Sequence, residues 1–147
     1  MFSLIQCDPD GRPMGKLDTM PEALAQACKQ SASLYLRIGY EPPWVSYVAA
    51  DGNRGVGGGA FVGRPRDGAV EIAYFTLPEL MGRGYATQTA KHLVDIARRA
   101  TPEIVLKAFT LPEVNASTKI LGRLGFRRIG LAQDADAGEV WEWRSIG

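Results

Sequence analysis

The sequence has little thiol and almost no imidazole chemistry: two cysteines, Cys7 and Cys28, and one histidine in 147 residues. Two thiols 21 positions apart, with no CxxC pair and no histidine cluster, exclude a zinc site and a disulfide scaffold and read as reduced cysteines. Charge of one sign is also missing. Lys plus Arg number 17 against 16 Asp plus Glu, and the net charge of +1 offers no basic field for general nucleic-acid binding. No run approaches the roughly 20 apolar residues of a membrane span. The start, MFSLIQCDPDGR, lacks the basic segment and long apolar core of a secretory leader, so the expectation is a cytoplasmic protein without membrane attachment. Internal repeats and linkers are absent, and the length predicts a single domain over residues 1–147.

What is present is 46% apolar and 22% charged, the composition of a globular chain with a core. Ser3 to Gln6 reads as a short edge strand, and Pro21 to Leu36 as a helix with proline at a permitted first-turn position. Strands are predicted over Trp44–Ala50, Val56–Gly63 and Ala69–Leu77, separated by the turn signals DGNRG and RPRDG. The run AVEIAYFTL is the most strand-like and should lie centrally. Tyr85 to Ala100 places Ala86, Ala90, Leu93, Val94 and Ala97 on one helical face. The lone His92 lies off that stripe and is expected to face solvent. A strand from Ile104, a helix from Asn115 closed by Gly125, and strands near Phe126–Leu131 and Val140–Arg144 complete a mixed α/β order.

Between the central strand and the second helix stands PELMGRG. Glycines at a strand-to-helix handover free backbone N–H groups to converge on one anion, and the helix dipole favours negative charge there. The arrangement reads as a phosphate or diphosphate cradle or, taken alone, as an ordinary left-handed turn. GxGxxG and GxxxxGK[ST] are both missing, which removes dinucleotide-fold and P-loop readings.

MGRGYA, followed about 30 residues later by NASTKILGRLGF, resembles the Gcn5-related N-acetyltransferases, particularly the branch that includes ribosomal-protein N-terminal acetyltransferases. The resemblance runs from Val56 to Leu131. It implies the acyl-CoA N-acyltransferase fold: a mixed, mostly antiparallel central sheet flanked by helices. It also implies acetyl-CoA as cosubstrate, held by Met81, Gly82, Arg83, Gly84, Tyr85, Ala86 and Thr87, with Asn115 and Ser117 of the second motif beside the pantetheine arm. The central strand, through backbone N–H groups between Tyr74 and Leu77, with Phe75 and Leu77 among the contacts, would hold the thioester carbonyl. Two departures stand out. Met81 occupies the motif position usually held by Gln or Arg, so Arg83 becomes the only cationic side chain within the loop. Leu121 stands where many relatives carry a proton-donating tyrosine, which leaves Ser117 or water for that role. Asn115 reads equally as a helix cap.

Acetyl transfer to an amine needs the amine's lone pair free, and Glu71 is the candidate base. Alternation puts it on the face of Ala73, Phe75 and Leu77, an apolar setting that should raise its pKa. An ion pair with Arg64 or Arg66 is its structural alternative. Neither Cys nor Ser is placed as an activated nucleophile, so transfer would be direct. The acceptor, a primary amine of a small molecule or of a peptide or protein N-terminus, is expected near the first helix and the loop before Trp44. Tyr35, Tyr40, Trp44 and Tyr47 there either clamp the acceptor or fill the core. A homodimer is compatible with the resemblance. The two departures keep a second class open: a non-catalytic acyl-CoA-binding regulatory module.

Overall fold

A computed structural model of the chain describes residues 1–146. Seven strands form one sheet: β1 (Phe2–Gln6), β2 (Ser46–Asp51), β3 (Arg54–Phe61), β4 (Ala69–Thr76), β5 (Val105–Thr110), β6 (Arg127–Asp134) and β7 (Gly138–Ile146). Their order is β1-β2-β3-β4-β5-β7-β6, and β4 with β5 is the parallel pair in an otherwise antiparallel sheet. The mixed, mostly antiparallel sheet with flanking helices agrees with the expectation from sequence, and β4 occupies the middle of the sheet.

The helices are α1 (Glu22–Ile38), α2 (Tyr85–Ala100) and α3 (Ala116–Arg123). The alternation of β4 decides which face each helix covers. Val70 and Ile72 are buried in a core with Leu93, Val94 and Ala97 of α2 and Leu121 of α3. Ala73 and Phe75 point the other way, under α1. Burying these aliphatic side chains contributes roughly 1.5–3 kcal/mol each. A smaller core joins Leu24 of α1 to Cys7, Val48, Val56, Leu77 and Leu80.

Gly57, Gly58 and Gly59 of β3 have steric causes. A Cβ on Gly58 would come within 2.7 Å of the Phe75 ring, and one on Gly59 within 2.7 Å of Thr89 and 3.0 Å of Leu93. The bare backbone therefore lets α2 seat directly on the sheet on one side and Phe75 lie flat on the other.

The aromatic residues before and at the start of β2 resolve toward the core. Tyr35 and Tyr47 are buried, and Tyr40 and Trp44 pack beside them. Tyr40 donates from its hydroxyl to Cys7 O and Tyr47 to Pro43 O, while Tyr35 accepts from Ser46 N–H. His92 is half-buried rather than free in solvent, edge-on to Phe2 with ring centroids 5.0 Å apart. Trp143 packs on the main core and donates to Thr110 Oγ1 at 2.9 Å, whereas Trp141 lies under the Arg128 guanidinium at 4.1 Å. Among the described residues no helix is long and apolar enough to cross a membrane.

Candidate active site

The centre of the sheet is split. β4 and β5 pair only at Ala69, Val70 and Glu71, opposite Val105, Leu106 and Lys107; from Ile72 and Ala108 onward the two strands separate. Glu71 stands at the apex. Beyond it, one edge of β4 stays bonded to β3 and the other is released. Val62 N–H donates to Glu71 O and Leu77 N–H to Val56 O, so odd-numbered residues spend their backbone groups on β3. By alternation the N–H groups of Tyr74 and Thr76 face the split. The set expected from sequence is thereby corrected: Leu77 has its amide occupied and its side chain 2% exposed in the core, which removes it.

A cleft of about 480 Å³ opens on the α2–α3 side of the split. Its walls come from Tyr74, Phe75 and Thr76, from Leu80, Met81, Gly82 and Gly84 of the loop, from the first turn of α2, and from one face of α3. Gly82 and Gly84 hold φ of +82° and +84°, a region costly for other residues, and a Cβ on either would meet no atom within 4 Å. Gly84 is the N-cap of α2 and supplies no side-chain cap. Gln88 is the first residue of α2 whose N–H finds a helical acceptor, Gly84 O at 3.1 Å. The amides of Tyr85, Ala86 and Thr87 thus precede the helical ladder and border the cleft.

Side chains distribute differently from the expectation. Arg83 is exposed and outside the cleft walls, while Lys119 and Arg123 of α3 line them. These two cations lie four apart on one helical face, a spacing visible in the sequence but without meaning until the cleft is located. Met81 lines the cleft as an exposed apolar side chain. Tyr85 sends its hydroxyl outward to Asp51 Oδ2 at 2.8 Å, so its part in the cleft is backbone and ring. Asn115 is a helix cap: Oδ1 accepts from Thr118 N–H at 3.1 Å, and its own N–H donates to Thr118 Oγ1 at 2.9 Å. It is not among the cleft's lining residues, whereas the half-buried Ser117 is. Leu121 is fully buried and contributes only packing.

Glu71 sits in a more polar place than alternation suggested. Its register partner is Lys107, and Leu77 lies beyond the strand in the smaller core. No ion pair with Arg64 or Arg66 forms; Arg64 faces Glu41 at 3.9 Å. Burial raises the Glu71 pKa, as expected, with Asp134 and Glu142 pushing the same way and Lys107 opposing.

A second cavity, about 270 Å³, lies on the opposite face between α1 and the sheet. Leu24, Ala27 and Leu34 of α1 face Val48, Ala60 and Phe75, and no charged residue lines it. Cys7 and Cys28 share its wall. The Cys7 thiol as hydrogen-bond donor holds the Cys28 pKa below the usual thiol value. Tyr74 and Phe75 line both cavities.

Two hydroxyls in this region are buried without a hydrogen-bond partner among the described residues: Tyr74 OH and Thr76 Oγ1. Both belong to β4 where β5 has left it. Desolvation pushes the Tyr74 pKa up to about 12, so the phenol stays protonated. Nothing in the local sequence marks them, because their isolation follows from the split. Free amides, two cations and two unpaired hydroxyls around one cleft fit a ligand that brings phosphates at one end and a polar chain at the other.

The family model for the acetyltransferase (GNAT) domain matches residues 2–127. Among solved structures, an IAA acetyltransferase from Bacillus cereus aligns at 15% identity and TM-score 0.73, covering 99% of both chains. A RimL ribosomal L7/L12 alpha-N-protein acetyltransferase in complex with coenzyme A aligns at 19% identity and TM-score 0.71, over 99% of this chain and 93% of that one. A GNAT-family acetyltransferase from Bacillus anthracis aligns at 17% identity and TM-score 0.60, over 69% of this chain and 65% of that one. At these identities the likeness is one of fold. No curated protein sequence matches at a significant level.

Proposed function

Because the chain belongs to the GNAT acetyltransferase family, we propose that it transfers the acetyl group of acetyl-CoA directly to a primary amine carried on an uncharged, largely apolar body. The acceptor is a small molecule or a peptide N-terminus of that character. The observation that supports this is the shared wall: Tyr74 and Phe75 line both cavities, so a donor on one side and an acceptor on the other would meet at the split.

In this reading the amides of Tyr85, Ala86 and Thr87 receive the diphosphate, with Lys119 and Arg123 adding charge and Gly82 and Gly84 giving the backbone its course. The amides of Tyr74 and Thr76 bond the pantetheine arm and the thioester carbonyl; one such contact as charge develops is worth about 3 kcal/mol. Glu71 takes the amine's proton. Presenting a lysine-type amine neutral at pH 7 costs about 4 kcal/mol without help, which is the work assigned to the base. Ser117 or a water returns a proton to sulfur.

The acceptor class follows from the second cavity. A polyamine needs carboxylates to meet its distal charges, and no charged side chain lines that space. The test is thiol release from acetyl-CoA with a panel of amines. Turnover is expected with arylalkyl or aliphatic amines and with peptides bearing small apolar first residues, and not with spermidine. Coenzyme binding without release on any amine would favour the regulatory-module alternative. An acetyl adduct on Cys28 after incubation with acetyl-CoA alone would replace direct transfer by a covalent route.

A further inference from the structure

The parity of β4 separates two chemical groups across the sheet. Glu71 is on the same face of β4 as Ala73 and Phe75, which line the α1 cavity although Glu71 does not, whereas Tyr74 shares the α2 face with Val70 and Ile72. The amine adds to the thioester carbonyl and sulfur departs from the tetrahedral centre about 109° away, so the proton acceptor and the donor to the leaving group must be different groups at different points. Tyr74 meets that requirement. Its hydroxyl is buried, finds no protein partner among the described residues, and sits on the strand that bounds the cleft. An unmade hydrogen bond on a buried hydroxyl costs roughly 1–3 kcal/mol, a cost that a ligand accepting from it would remove. On the same side Leu121 presents no hydroxyl, and it belongs to the core against which the Tyr74 ring packs.

We infer that Tyr74 is a further catalytic residue, its phenol donating a hydrogen bond to the thioester sulfur as the carbon–sulfur bond breaks. This deepens the acetyltransferase reading and rests on it. The balance of the step is simple. The neutral amine's lone pair forms the carbon–nitrogen bond, the carbon–sulfur electron pair goes to sulfur, and the proton nitrogen then sheds goes to the Glu71 carboxylate, which has already passed the ammonium's first proton to solvent. The phenol stabilises the sulfur anion until Ser117 or water protonates it. Thr76, the next residue of β4 on that face, offers the second unpaired hydroxyl to the adjoining arm of the coenzyme.

The test is Tyr74→Phe, which keeps the ring and deletes only the oxygen. The expected result is a fall in kcat of about tenfold or more with KM for acetyl-CoA little changed, and a Tm equal to or above wild type because no protein bond is lost. A second readout needs no turnover. Calorimetric affinities for coenzyme A and desulfo-coenzyme A should differ in the wild type and converge in Tyr74→Phe. Full kcat in Tyr74→Phe, or an undiminished preference for the sulfur-bearing ligand, overturns the inference, as does a lowered Tm with that preference intact. If neither ligand binds the wild type, the acetyl-CoA reading itself fails, which is a separate outcome. Ser117→Ala is the comparison variant, and a loss of the sulfur preference there with Tyr74→Phe unaffected assigns the contact to Ser117 and overturns Tyr74.

Discussion

Two helix N-termini border the same cleft and are finished in opposite ways. At α3 the Asn115 side chain accepts from Thr118 N–H and the Thr118 hydroxyl accepts from Asn115 N–H, so one first-turn donor and the cap's own N–H are satisfied within the protein. At α2 the cap is Gly84, left-handed and without a side chain, and the amides of Tyr85, Ala86 and Thr87 precede the helical ladder. An N-cap side chain is worth about 1 kcal/mol, and α2 forgoes it where α3 does not. The difference separates an end closed by side chains from the end to which the proposed function assigns the diphosphate. A polar residue at a helix start is evidence about folding, and its absence beside a cleft is evidence about binding.

The sharpest way to break the comparison is Gly84→Asp, which sets a carboxylate among the open amides and forces a side chain into a positive φ. Coenzyme A affinity should fall by about a hundredfold or more while circular dichroism keeps its helical signal; retained affinity would move the cradle elsewhere. Next in size is a change that touches neither helix end. Glu71→Gln should lower kcat by about a hundredfold and leave calorimetric coenzyme A affinity unaltered, and a parallel loss of affinity would deny Glu71 the role of base. Removing the two cations of α3, Lys119→Ala with Arg123→Ala, should weaken coenzyme A binding about tenfold and flatten its dependence on salt. An unchanged salt dependence would place both outside the diphosphate's reach.

At the capped end, Asn115→Ala should cost about 1 kcal/mol of stability in denaturant titration and shift coenzyme A affinity by less than about twofold. A large loss of affinity there would erase the distinction between the two ends. The smallest effect concerns pH. Burial holds the Glu71 pKa above the usual carboxylate range, and a base works only when deprotonated, so the rate should fall as pH drops through that raised value. Lys107 favours the charged form and lowers the pKa, so Lys107→Met should move the acid limb of kcat further up. A limb that stays put would separate the rate's pH dependence from Glu71.

Much of this molecule was legible in the sequence because the signals were local. The boundaries of α2 come from its apolar stripe and Gly84, and β4 comes from its β-branched and aromatic run. The glycine turn could be read as an anion cradle for the same reason. What stayed hidden depends on partners distant in the chain. The parting of β4 from β5 after Glu71 is a matter of register between strands more than 30 residues apart, and it alone decides which amides are free. The Leu77 amide turns toward Val56, a pairing its own neighbourhood in the sequence does not announce. Lys119 and Arg123 stay hidden for the same kind of reason: sequence distance from the loop is not distance from the cleft wall. Tyr74 and Thr76 drew no notice as side chains because an unpaired hydroxyl is defined by what fails to surround it.

The three glycines of β3 bear on more than the seating of a helix. Where Gly58 lacks a methyl group, the floor beneath α1 is bare peptide, and Phe75 occupies the room that a methyl would have taken. The volume of the α1 cavity, to which the proposed function assigns the acceptor, is therefore governed in part by a stretch of strand, Gly58 and Gly59, that carries no side chain into it. Selectivity in such a design is tuned by subtraction: an enzyme of this build could narrow its choice of amine by gaining single carbon atoms at one backbone position, with the machinery for the coenzyme left as it stands.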